Sequence, residues 1–188
     1  MSATSTRTGA GRPNASSHAE LEEAACELAF EVGWENVSAD AIAKRTGISR
    51  SSFFNYFPIK TDVLWRSVDE SLKQSDTLAE FVHLLEVAGP PTALTYRDVM
   101  RAREAAIESS STRVQHLAEK LESAPLETVS PAGATFEPHL EDAVRLIRAS
   151  AIASGAITAV MEWASAGVSR GPLGDYLTAV FGPDWQEM

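Results

Sequence analysis

Apolar residues recur at intervals of three and four along most of this chain, and alternating runs of β-branched residues are almost absent. That periodicity predicts helices and argues against strands. The first predicted helix opens at Ser17-His18-Ala19-Glu20, which has the form of a capping box, and carries Leu21, Ala25, Leu28 and Val32 on one stripe up to Gly33. Glu20, Glu23, Glu27 and Glu31 give it a solvated opposite face. Two short helices follow, Ala39 to Thr46 and Ser49 to Phe57, with Gly47 between them where a steep turn needs a residue tolerant of φ > 0. Ala43 has no side chain to keep the second of these away. Ile42, Ile48, Phe53 and Tyr56 form a shared apolar seam, and Trp34 and Val37 pack the joint with the first helix.

Pro58 closes this unit. A fourth helix from about Lys60 carries Val63, Leu64, Val68 and Leu72 on one stripe, and further helices are predicted at Leu78 to Ala88, Thr95 to Ser109 and Thr112 to Ala124. Three prolines and Gly133 make Pro125 to Pro138 a surface loop. Helices from Leu140 to Ala166 and from Leu173 to Phe181 close the chain, so the expected fold class is all-α. Residues 1–15 carry Arg7 and Arg12 with no acid and read as a flexible basic tail; the alternative is an arm that reaches a minor groove.

Charge changes the picture locally. The 188 residues hold 26 acids against 16 Lys and Arg, a net charge of −10, which excludes a protein that binds nucleic acid with its whole surface. Yet Lys44, Arg45, Arg50 and Lys60 stand in a window without Asp or Glu, locally +4. Up to Arg66 there are 7 cations against 8 acids, and beyond it 9 against 18, so the acidity lies away from that window. Ser38 and Ser49 each precede a helical run, where a hydroxyl caps free N–H groups and a helix end can face a phosphate.

Other chemistry is sparse. Cys26 is the only cysteine, which rules out an intrachain disulfide, fits a reducing cytoplasm, and reads as buried packing. His18, His83, His116 and His139 lack metal-ligand spacing, and no phosphate loop or nucleophile elbow is present, so neither an enzyme, a metal nor a cofactor is expected. No apolar run was expected to approach a membrane span, and no membrane partner is expected.

Ala24-Ala25, Leu28-Ala29-Phe30, Val32-Gly33-Trp34, Val37-Ser38, Ile42-Ala43, Gly47-Ile48-Ser49, Phe53-Phe54, Tyr56-Phe57 and Lys60 stand in the order and spacing of a known N-terminal domain. Over its first sixty to seventy residues the chain resembles the TetR-family transcriptional regulators. The run FFNYFPIKTDVLW is similar to the subgroup of mycofactocin-type regulators, which implies an acyl-CoA-like ligand. The resemblance implies a helix-turn-helix DNA-binding domain over 16–60, with the motif at 38–57, and a ligand-binding and dimerisation domain over 61–188.

It also implies roles. Ser38 and Ser49 contact phosphates, Lys44 adds charge, and Arg50 and Ser51 enter the major groove in the first turn of the recognition helix, Arg50 reading a guanine. Phe54 meets a thymine methyl, Asn55 reads adenine or holds a phosphate, and Tyr56 and Lys60 clamp the backbone. Ser51-Ser52, Phe54 and Ile59 depart from the Gly-Thr, Tyr and Ser common in the family, so the operator is not inferred from relatives.

For the second domain, Phe81, Leu85, Met100 and Trp163, with Leu84, Ile107, Leu117 and Met161, are candidate pocket residues, while Arg97, Arg101 and Arg103 are candidates for an anionic headgroup. Simple core and a solvated charged face are the competing readings. The shallow surface of Ile152, Ala153, Ala156 and Val160, with Leu177 and Phe181, is the candidate homodimer seam, intrachain packing being the alternative. The expected function is a ligand-responsive repressor released from a palindromic double-stranded DNA operator by a small-molecule effector. The alternative is a helical ligand-binding or protein-interaction module that no longer binds DNA.

Overall fold

The structure is a computed structural model that describes residues 17–123 and 137–188. The basic tail and most of the loop after Pro125 lie outside them. Helix α1, His18–Val32, starts at the expected capping box: the Ser17 hydroxyl accepts from the Glu20 amide at 3.2 Å while the Glu20 carboxylate accepts from the Ser17 amide at 2.7 Å. It stops at Gly33, whose φ of 81° and ψ of 146° belong to a region open almost only to glycine. A 3₁₀ turn at Trp34–Asn36 leads into α2, Ala39–Arg45, and α3, Arg50–Tyr56.

The expected fourth helix is split by its own capping. Lys60–Trp65 is 3₁₀, set by the Asp62 carboxylate accepting from the Ile59 amide at 3.0 Å, and α4 proper is Arg66–Gln74. After α5, Leu78–Ala88, comes a single helical turn, α6, Thr92–Thr95. The helices expected at 95–109 and 112–124 are instead one, α7, Arg103–Glu122. Its serine run fits a helix because Ser109, Ser110 and Ser111 donate back to the carbonyls of Ala105, Ile107 and Glu108. Helix α8, Pro138–Ser165, begins with proline, where no amide partner is lost, and α9 is Leu173–Phe181. Among the described residues there is no strand, and the fold is all-α.

One apolar core runs from Leu21 through Trp65, Phe81 and Val160 to Trp185. Helix α7 packs along α8, which α9 flanks. By length and composition α8 would suffice to cross a membrane, contrary to the sequence expectation. Here one of its faces is core: Ala149, Ala153, Ala156, Ile157 and Val160 are buried.

Two arginines tie the early helices to the later ones. Arg113 of α7 is 1% exposed and donates to Asp62 at 2.8 Å, to Asp69 at 2.9 and 2.5 Å, and to the Ser109 carbonyl. Its guanidinium also lies 5.4 Å from the Trp65 ring centroid, and the Trp65 indole donates to Ser109. Arg66 bonds Glu22 of α1 at 2.5 Å and Glu70 at 2.7 Å. Burial pushes the Glu22 carboxyl up despite this cation.

A third joint lies on the other side of α1. Arg101, itself at a positive φ of 54°, donates to the Val32 carbonyl at 2.8 Å and pairs with Glu35 at 2.7 Å, and the Trp34 amide donates to the Met100 carbonyl. A Cβ on Gly33 would stand 2.3 Å from the Arg101 guanidinium. Gly33→Ala is therefore expected to lower stability by about 1–3 kcal/mol through backbone strain and displacement of that arginine, measurable by urea denaturation.

Candidate nucleic-acid interface

The turn between α2 and α3 follows from local sequence. Gly47 takes φ 73°, and the Ile48 amide donates to the Ala43 carbonyl at 2.9 Å, fixing the angle between the helices. Ile42 and Phe53 are fully buried beneath it and Ala43 is 1% exposed, so the two helices meet closely. The Ser38 hydroxyl accepts from the Ala41 amide at 3.1 Å, and the Ser49 hydroxyl from the Ser52 amide at 3.0 Å, both as helix caps. Ser49 also hydrogen-bonds the hydroxyls of Ser51 and Ser52 at 2.8 Å, gathering three hydroxyls at the start of α3.

With Phe53 buried, the opposite side of α3 faces solvent. Arg50, Ser51, Phe54 and Asn55 are all exposed there. The Arg50 guanidinium pairs with Asp40 of α2 at 3.2 Å and lies 5.6 Å from the Phe54 ring centroid, so it is already directed before any ligand arrives. Tyr56 is half-buried, its ring edge-on to His18 at 5.0 Å.

The cationic window is weaker than its composition. Arg45 turns toward α1, where it holds Glu31 by two bonds of 2.8 Å and Glu27 by one of 3.2 Å. Those bonds hold the Glu31 carboxyl below the usual carboxylate range. Lys60 turns inward rather than toward a phosphate. Its ammonium donates to the carbonyls of Val37 at 2.8 Å and Trp34 at 3.4 Å and lies 4.3 Å from the Trp34 ring centroid, and burial lowers its pKa. Lys44 is exposed and Arg50 exposed but paired, so two of the four cations present themselves outward. Asp40, the partner of Arg50, lies four residues before that window and so escaped a count begun at Lys44.

None of the residues expected to line a ligand cavity, Phe81, Leu85, Arg97, Met100, Arg101 and Trp163, lines the cleft at the end of α3. Phe81, Leu85 and Met100 are fully buried core, and Trp163 is 4% exposed with its indole donating to the Gly171 carbonyl. Arg97 is buried beside Glu162 at 3.9 Å, and Arg101 is the joint to α1 described above. The cleft lies elsewhere, between the end of α3 and the helices α4 and α7, with a volume of about 780 Å³.

The expected dimer residues also pack inside the chain. Ile152, Ala153, Ala156, Val160 and Leu177 are at most 9% exposed without any partner subunit, and the half-buried Phe181 ring sits against Gly155. Among the described residues of α8, Leu140, Ile147, Ala151, Ser154 and Thr158 are exposed along one stripe, with Val144 half-buried among them. Cys26 is buried, and desolvation pushes its thiol up to about 12, so it is a packing residue.

Residues 21–65, which contain most of α1, the turn and α3, match the family described as bacterial regulatory proteins, tetR family. The chain carries a tetR-family regulatory domain. The chain is also similar to the HTH-type transcriptional regulator EthR of Mycolicibacterium smegmatis (strain ATCC 700084 / mc(2)155), 36% identical over 80 residues that cover 40% of this chain and 37% of that protein. The match thus spans well under half of the curated relative's length. No solved structure matches the chain. The matched stretch ends at Trp65, the residue whose indole donates to Ser109 of α7, so its last side chain is anchored in the helices beyond it.

Proposed function

We propose that this chain is a DNA-binding transcriptional regulator, acting as a homodimer on a palindromic operator and released by a small molecule. It acts as a repressor and does no chemistry of its own. The observation that carries the reading is the outward face of α3, where Arg50, Ser51, Phe54 and Asn55 are exposed together inside a tetR-family domain. Arg50 reads a guanine edge and Asn55 an adenine, while Lys44 and the hydroxyls of Ser38 and Ser49 meet the phosphates. Tyr56 supports the end of the helix from its half-buried position.

Two copies are joined along the exposed stripe of α8 from Leu140 to Thr158, with Val180 of α9 beside it, which sets two recognition helices for successive half-sites about 34 Å apart. A gel shift on the DNA upstream of the chain's own gene tests the reading. Salt-sensitive binding to a palindrome supports it, and no binding at low salt favours a helical module without DNA affinity, a reading to which the intramolecular pairing of Arg45 and Arg50 gives some weight. Arg50→Ala is expected to weaken specific binding by about 1–3 kcal/mol and to relax preference at one base pair per half-site. An equal loss on random DNA would assign Arg50 to the phosphates.

A further inference from the structure

The cleft beside the recognition helix has two unlike sides. One is formed by Tyr56, Phe57, Pro58 and Ile59, the residues that end α3 and lead out of it, with Leu72 of α4 close by. The other is polar and belongs mainly to α4 and α7. There the charges are unevenly matched. Arg113 holds Asp62 and Asp69, Arg66 holds Glu70, and Glu119 accepts from the Gln115 amide nitrogen at 2.9 Å. On the cationic side, among the described residues, Lys73 is exposed with no side-chain partner and the Lys120 ammonium donates to the Ser75 carbonyl alone. His116 stands on the same α7 face one turn before Lys120.

We infer that this cleft binds an amphipathic organic anion, a single carboxylate on an apolar body, and that its occupancy changes DNA affinity. The apolar body lies against Tyr56, Phe57, Ile59 and Leu72, and the carboxylate takes the free N–H donors of Lys73 and Lys120. Glu119 at the rim opposes a second negative charge. The volume falls within the range of small-molecule sites. Because the apolar wall is the end of the recognition helix and the polar wall is α7, a bound molecule touches both, and a bound-state preference for one spacing between them acts on DNA reciprocally. The regulatory half of the inference rests on the proposed DNA-binding function; the binding half does not.

Calorimetry on the full chain without DNA tests the binding half, with decanoate as the probe and decyltrimethylammonium, of the same chain length and opposite charge, as its control. Decanoate is expected to bind once per chain, at least tenfold more tightly than the cation. Lys73→Glu and Ile59→Asp, both at exposed positions, are each expected to weaken it at least tenfold, about 1.4 kcal/mol, with unchanged melting temperature. Absence of heat, equal affinity for both headgroups, or unaltered binding by both variants would overturn the site. If decanoate binds as expected and the gel shift is the same with and without it, the regulatory half fails. Failure of the ligand-free protein to shift DNA would instead count against the DNA-binding reading alone.

Discussion

If the proposed dimer forms along α8, Ile147→Asp is expected to dissociate it and to weaken the proposed operator binding by about 10²- to 10⁴-fold, the range by which linked binding of two modules exceeds one. Ile147 is 67% exposed at the middle of the α8 stripe, so the substitution removes no internal contact of consequence, and Asp and Ile have similar helix propensities. The monomer should therefore fold as before. A two-fold interface contains every position twice, so each dimer loses two buried isoleucines and gains two carboxylates. At about 1.5–3 kcal/mol for each buried isoleucine, the seam loses about 3–6 kcal/mol before any repulsion is counted. Sedimentation equilibrium reads the dissociation and a gel shift reads the consequence. A variant that stays dimeric at micromolar concentration would move the seam off this stripe.

Arg113→Ala is expected to lower folding stability by about 3 kcal/mol, the lower end for breaking a buried ion pair, because Asp62 and Asp69 keep 13% and 33% of their side-chain surface in water. Without the guanidinium the two carboxylates face each other over the Trp65 ring with no cation between them. Burial already pushes the Asp69 carboxyl up, against the pull of Arg113, and removal of the arginine pushes it further. A folded-state pKa above the unfolded one gives stability that is present at low pH and is lost as pH rises through the folded value. The deficit of the variant should therefore be smaller at acidic pH than at pH 7, as protonation of Asp69 relieves the repulsion. Urea denaturation under both conditions reads the difference, and a deficit that grows on acidification would show that the carboxylates are not its source. Arg113→Lys should fall between the two, since it keeps the charge and loses the fork that spans both acids.

The helix-turn-helix was legible because its signals are local. Ser17 with Glu20, Ser38, Ser49, Gly33 and Gly47 each specify a start or a turn within four residues, and the structure places a cap or a positive φ at every one. The core partners of Arg113 were not legible, since Asp69 and Asp62 lie 44 and 51 residues away. The same limit applies to the shallow face of α8 that was read as a homodimer seam. Ala149, Ala153 and Ala156 mark a face that is closely approached, but α7 and α9 of the same chain are what approach it. The gap expected between Ser109 and Thr112 is absent because each hydroxyl of the serine run at 109–111 bonds back to its own helix. Lys60 belongs with these: the count of cations was right, and the direction of the side chain depended on the Val37 and Trp34 carbonyls.

The unbroken core and the arginine ties also bear on how such a chain can be rearranged. A reading head excised after Lys60 would leave behind Val63, Leu64 and Trp65, and Glu22 on α1 would lose Arg66, the cation that compensates its burial. The remaining helices would in turn carry Arg113 without Asp62. Exchange of this head for another is therefore workable only if the graft carries the segment through Asp69, or brings its own acid for Arg113. The proposed operator preference would be more readily altered by point changes on the exposed face of α3 than by transplanting the unit that bears it.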